Sequence, residues 1–135
     1  MTISYNRLGS NGRLGNQMFQ YASLRGIANY NQYQWMIPPP DYNHKDNYGL
    51  FDTFEMKHCK PENLGFNDGM TITEKTHAFD DGLFYCTDGV NIDAYLQTED
   101  YFVHIADQIH EDFTFKKDYL EPVSYTHLTL PTKSS

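Results

Sequence analysis

The sequence predicts a layered α/β fold, and three observations carry that expectation. A short β-branched and aromatic run at 2–8 stops at Gly9-Ser10-Asn11-Gly12 and gives way at once to an apolar pattern of helical period. A second strand-like run, 33–37, follows that helix, and a second strand-to-helix unit occupies 90–113. Helices lying between strands are the mark of stacked α and β layers.

The elements follow in order. Thr2 to Leu8 has the composition of a strand feeding a turn. From Leu14 the period changes, with Leu14, Met18, Tyr21 or Ala22, Arg25 and Ala28 placing one stripe along a helix that runs to about Tyr30. Asn31-Gln32 is a polar stop. Tyr33 to Ile37 reads as a second strand, closed by Pro38-Pro39-Pro40, which cannot extend a hydrogen-bonded ladder. The first 37 residues therefore fit one βαβ unit.

Residues 41–89 are poorly periodic and rich in Asp, Asn, Gly and aromatics, which predicts loops and short helices. The rings there, including Tyr42, Tyr48, Phe51, Phe54, Phe84 and Tyr85, suit either sugar stacking or a ring-rich core, and the core reading is favoured for most of them. Trp35 fits a strand pattern better than a ligand platform. Order returns where Val90, Ile92, Ala94 and Leu96 alternate with Asn91, Asp93 and Tyr95, as in a half-buried strand. Thr98 can cap a following helix whose first turn holds Glu99 and Asp100 and whose stripe is Phe102, Ile105, Ala106, Ile109 and Phe113.

At 135 residues the chain is too short for a two-domain enzyme. Its net charge of -8 disfavours nucleic acid and anionic membrane surfaces as generic partners. The charge is uneven: residues 1–40 hold Arg7, Arg13 and Arg25 and no acid, whereas 41–121 hold all 18 acids against six lysines. An anionic ligand is therefore best received at the N-terminal end. No run approaches the length of a membrane span, and MTISYNRLGSNG has neither a basic nor an apolar leader region, so a cytoplasmic protein is expected. Cys59 and Cys86 have no CxxC spacing or adjacent Cys-His repeat and read as ordinary thiols, which leaves a structural zinc site without ligands.

The segment that carries chemistry is Gly12-Arg13-Leu14-Gly15-Asn16-Gln17-Met18-Phe19-Gln20-Tyr21-Ala22, where a strand ends and a helix begins. Glycine there lets a ligand approach the backbone, and the first helical amides can hold a phosphate. The pattern is neither a Walker loop nor GxGxxG. Asn16 and Gln17 offer amide donors and acceptors suited to a nucleotide sugar, and Arg13 a charge for pyrophosphate. Set against this, Gly12 and Gly15 could serve only the turn, Asn16 only a cap, and Arg13 only the surface.

GRLGNQMFQYA resembles the N-terminal motif of the alpha-1,2-fucosyltransferases, the inverting enzymes of glycosyltransferase family 11. The stretch Asp93-Ala94-Tyr95-Leu96-Gln97-Thr98-Glu99-Asp100-Tyr101-Phe102 is similar to that family's Gly-Tyr-Phe-Gln-Ser-Glu-Lys-Tyr-Phe segment, and the next helix ends in a matching Asp112-Phe113-Thr114-Phe115. The likeness covers residues 2–122.

It implies a partial GT-B-like glycosyltransferase, namely its N-terminal Rossmann-like lobe. The implied partners are GDP-fucose as donor and a galactose-containing oligosaccharide or polysaccharide as acceptor at its 2-hydroxyl. No metal or further cofactor is implied, and peripheral association with the inner face of a membrane is compatible with it. Gly15 and Asn16 would lie against the donor diphosphate or fucose, with Gln17 supporting the loop; Arg13 stands where the family often has Gly, although it too is placed among the substrate-binding candidates.

Asp80, Asp81, Asp93, Glu99 and Asp100 are candidate bases, none of them selected by spacing. The family's His-x-Arg-Arg-Gly-Asp stretch, assigned to the diphosphate, does not occur in the sequence, so an inactive truncated fragment is expected. A non-catalytic carbohydrate- or nucleotide-binding module is the alternative.

The end of the chain breaks with the rest. VSYTHLTLPTKSS carries no charge before Lys133 and no amphipathic period, and it resembles a translated sequencing adapter. Residues 1–122 are accordingly read as the family-like portion and 123–135 as a non-native tail, in which His127 is given no role.

Overall fold

The computed structural model describes residues 1–9, 13–40, 48–74 and 78–116. The turn positions 10–12, Tyr42 and the tail at 123–135 with His127 lie outside the described residues.

Four short strands build one parallel sheet: β1 (Thr2–Ser4), β2 (Gln34–Met36), β3 (Thr71–Ile72) and β4 (Asn91–Ile92), in the order β2-β1-β4-β3. Ile3 lies opposite Trp35, Ser4 opposite both Met36 and Asn91, and Ile72 opposite Ile92. The strand, helix, strand expected of the first 37 residues is present, with β1 and β2 parallel and adjacent. The result is a mixed α/β fold, a small parallel sheet flanked by helices, as in a generic Rossmann-like arrangement.

Helix α1 (Leu14–Asn31) starts and stops where the sequence punctuates it. At its end Gln32 takes a left-handed conformation, with φ of 60°, and Tyr33 N donates to Ala28 O at 2.8 Å, turning the chain into β2. The single apolar stripe expected of this helix needs correcting. Every residue from Gln20 to Ala28 is buried, because α1 lies between the sheet and the segment 98–113. That enclosure explains an arginine in the stripe: Arg25 is buried against Asp112.

Gly26 makes the enclosure possible. A Cβ there would stand 1.9 Å from the Tyr101 carbonyl oxygen and 2.8 Å from Phe102 Cα, so only glycine lets the two backbones meet. The same contact answers for the second correction, in which the helix expected after Thr98 is broken into two 3-10 turns, Glu99–Tyr101 and Val103–Ile105, before α3 (Ala106–Asp112). Backbone drawn against Gly26, together with the 2.9 Å bond between His104 Nε2 and Gly26 O, replaces regular helix there. Thr98 does cap the first turn, its Oγ1 accepting from Asp100 N at 3.3 Å.

The run 90–96 also shortens. Val90, Ile92, Ala94 and Leu96 are all buried, as the alternation requires, but only Asn91 and Ile92 pair as strand. Beyond them the backbone of Ala94 is taken by the Tyr5 hydroxyl, and Leu96 turns through a positive φ of 54°. In the middle of the chain α2 (Leu50–Thr53) and 3-10 turns at Pro61–Asn63 and Asp81–Tyr85 meet the expectation of loops and short helices, while β3 is an addition to it.

The main core joins Ile3, Tyr5, Leu8, Leu24, Ile27, Trp35, Ile37, Leu50 and Ile92 under the sheet and α1. A smaller cluster of Ala22, Ile105 and Ile109 fills the other side of the helix. Tyr48, Phe54 and Phe84 are buried, as a ring-rich core requires, whereas Tyr85 is 72% exposed and outside it. Trp35 is a buried strand residue. Both cysteines are free thiols.

Candidate functional site

From β1 the chain steps to β2 at one edge of the sheet, crosses to β3 at the other edge and steps back to β4, which lies beside β1. In open parallel sheets ligands bind outside the carboxyl ends of the strands, and the carboxyl ends of the neighbouring β1 and β4 are taken as the candidate crevice. Here that place is bounded by the segment after β1, the start of α1 and the segment after β4.

Polar side chains fix the walls. Asn91, buried in β4, accepts at Oδ1 from Asn6 N at 2.7 Å and from Ser4 Oγ at 3.4 Å, and its Nδ2 donates to Thr71 Oγ1 at 3.1 Å. Three strands are thereby locked by one amide. The Tyr5 hydroxyl donates to Ala94 O and accepts from Ala94 N, and Ser23 Oγ donates to Leu96 O at 3.3 Å. Arg7 spans the gap to Asp93 at 3.0 Å, both groups partly exposed. Gly9, with φ of 96°, turns the chain under Tyr48, whose ring leaves no room for a side chain at that position.

Arg13 stands at the N-cap of α1 with its side chain exposed, no capping bond from it, and no ion pair among the described residues. Its carbonyl accepts from Gln17 N at 2.9 Å, which leaves the amides of 14–16 at the mouth of the helix. The first turn carries no acid, so the positive end of the helix dipole is not offset there. Gly15 is exposed, and a Cβ built on it would meet nothing within 4 Å among the described residues. Asn16 is half-buried on the same turn.

Gln17 differs from the other three. It is fully buried, and its Oε1 accepts from Gly49 N at 3.1 Å, tying the first turn of α1 to the start of α2. A ligand lying on the open face of the turn meets Arg13, Gly15 and Asn16, while Gln17 holds that turn from beneath. Gly12 lies outside the described residues.

The candidate acids are not brought together. Asp93 is at the crevice and bound to Arg7; Asp80 accepts from Gly82 N at 3.0 Å at the start of its 3-10 turn; Glu99 and Asp100 are exposed in the turn capped by Thr98. Among the described residues no three of His, Cys, Asp and Glu converge as a metal-ligand set, and no helix is long and apolar enough to cross a membrane.

Sequence reasoning missed the buried cluster behind the crevice. Asp112, 0% exposed, accepts from Tyr21 Oη, Arg25 Nη1 and His58 N, and Arg25 also donates to Gln108 Oε1 at 2.6 Å. The Arg25 guanidinium lies 5.9 Å from the Tyr21 ring and 5.5 Å from that of Trp35. Burial, and then the Asp112 charge, hold the Tyr21 phenol well above its ordinary value. The signal in the sequence was the arginine in an apolar helical stripe, which requires a buried acid. The missed polar hub of the crevice, Asn91, had no such signal, since amides at strand positions are common.

Compared with family models, curated proteins and solved structures, the chain finds no match.

Proposed function

We propose that residues 1–122 form the N-terminal, Rossmann-like lobe of a GT-B-like galactoside alpha-1,2-fucosyltransferase that moves fucose from GDP-fucose to the 2-hydroxyl of a galactose residue with inversion. The proposed setting is cytoplasmic, with peripheral attachment to the inner face of the membrane compatible. Binding the donor, rather than turnover, is the property assigned to the residues described.

The observation that carries the reading is Gly15. It sits inside a helical turn, where glycine costs stability relative to alanine by about 0.5–1 kcal/mol, and among the described residues nothing occupies the space over it. The turn does not need it for conformation or room. A ligand pressed against the backbone does.

In the reaction, the acceptor oxygen bonds to the anomeric carbon as the bond from that carbon to GDP breaks with its electron pair going to GDP, and the acceptor hydroxyl passes its proton to a carboxylate base, for which none of Asp80, Asp81, Asp93, Glu99 and Asp100 is singled out. Negative charge grows on the leaving diphosphate. The amides at the start of α1 and the Arg13 guanidinium are the groups assigned to it in this reading, with the Asn16 carboxamide for a sugar hydroxyl or a phosphate oxygen. Calorimetric titration of the chain with GDP-fucose and with GDP tests the reading. Saturable heat for both, with GDP-fucose bound more tightly than GDP, supports it, and a folded sample without heat for either refutes it.

One observation favours the alternative, a carbohydrate- or nucleotide-binding module without chemistry. Asp93, the candidate acid at the crevice, is bound to Arg7. GDP binding with no preference for the fucosylated nucleotide would favour that module.

A further inference from the structure

At the other end of α1, about 24 Å from the crevice by helix rise, two tyrosines stand out of the surface. Tyr30 is 52% exposed and Tyr85 72%. Their ring centroids are 6.1 Å apart and the planes meet at 86°. The Tyr30 ring rests on an aromatic base. Phe84 lies 4.8 Å from Tyr30 and 5.9 Å from His104, and Phe79 joins Phe84 to the fully buried Tyr101. Tyr33 Oη donates to Cys86 O at 3.1 Å, which fixes the end of the turn that presents Tyr85. The Tyr30 ring is therefore held in place before any ligand arrives, and the entropic cost of ordering it on binding is small.

We propose that Tyr30 and Tyr85, with the Asp81 carboxylate, form a surface site for a neutral oligosaccharide, separate from the crevice and standing whether or not the crevice binds a nucleotide sugar. Two rings at a right angle make a corner. A pyranose fits a corner by laying its C–H face on one ring and its edge on the other, while its hydroxyls reach the phenol oxygens and the carboxylate. The Tyr85 phenol is raised above its ordinary value, first by a hydrogen bond with Tyr30 and then by that group's charge.

The surroundings select the ligand class. Asp81 is exposed at the head of the 3-10 turn that ends in Tyr85, and an apolar protein surface closing over it would strip the carboxylate of water without replacing the bonds. Anionic glycans, nucleic acid and acidic lipid face the acid excess of residues 41–121. A neutral sugar supplies hydroxyl donors to the carboxylate and apolar C–H faces to the rings.

The test is titration of the intact chain with lactose, cellotetraose, maltotetraose and mannotetraose, following the tyrosine ring resonances by NMR. At least one is expected to shift the Tyr30 and Tyr85 signals with a millimolar Kd. Y85A and Y30A, which remove exposed rings, are each expected to weaken that sugar about tenfold with an unchanged circular dichroism spectrum, and Y85F, which keeps the ring, less than about threefold. GDP binding is expected to be the same in all three variants. The proposal is overturned if none of the four sugars moves these signals at about 10 mM, if Y85A binds as the wild type does, or if the signals move with protein concentration instead of sugar, which would mark a self-association surface.

Discussion

Tyr21 donates its phenol hydrogen to Asp112 Oδ2 at 2.5 Å, across 91 positions of sequence and wholly out of solvent. Asp112 also receives Arg25 and the His58 amide, so a single carboxylate fastens α1, α3 and the segment after α2. Removing it strands a guanidinium in the core. D112A is expected to cost about 3–5 kcal/mol, whereas Y21F, which removes one neutral donor, costs about 1–2 kcal/mol. Urea unfolding of the two variants checks the order, and equal losses would show that the carboxylate is not the hub.

Gly26 is expected to be the least replaceable glycine of α1. In a free helix G26A would be stabilising, but here the new methyl meets the Tyr101 carbonyl and the two backbones must part. The expected outcome is a loss of about 1–3 kcal/mol, with protection from hydrogen exchange falling first in 98–105. A thermal midpoint at or above the wild-type value would contradict the packing described.

Cys59 sets an alkaline limit. Burial, and then the Asp112 charge, push its thiol from about 9 up to about 12, with Arg25 acting in the opposite sense. The group is a neutral acid whose folded value is raised. Its contribution to stability is complete below the unfolded value and is lost as pH rises from about 9 toward about 12, where the unfolded chain ionises first. Urea midpoints are expected to be level near pH 7 and to fall above about pH 9, less steeply in C59S. Native protein at pH 8 is expected to react with iodoacetamide at Cys59 far more slowly than unfolded protein does. A midpoint that rises between pH 9 and 11 would overturn the assignment.

The sequence made the N-terminal βαβ unit legible because its signals are local: β-branched residues at 2–4, a helical period from Leu14, the stop at Asn31-Gln32 and the proline block. Burial at Val90, Ile92, Ala94 and Leu96 was legible for the same reason. What failed was set by distant partners. The alternation at 90–96 cannot show that pairing ends after Ile92, since Tyr5 decides that; the period at 98–113 cannot show two 3-10 turns, since Gly26 on another helix decides those. β3 has two residues, too few for any period.

For the candidate site, the turn at 13–17 was legible from its glycine and amides. The split between an outward Arg13, Gly15 and Asn16 and an inward Gln17 was not, because it depends on Gly49, 32 residues away.

The account depends most on Gly15, and G15A addresses it directly, since the substitution separates a glycine kept for the turn from one kept for a ligand. A methyl there meets nothing among the described residues and favours the helix, so the variant is expected to be as stable as the wild type or more stable by about 0.5 kcal/mol. In the proposed site the same methyl would stand between the donor and the backbone amides. Calorimetric titration with GDP-fucose is therefore expected to give saturable binding to the wild type and binding at least about tenfold weaker to G15A, with R13A and N16A also weakened. Wild-type protein that binds GDP-fucose and a G15A variant that binds it equally well would contradict a nucleotide-sugar site on this turn.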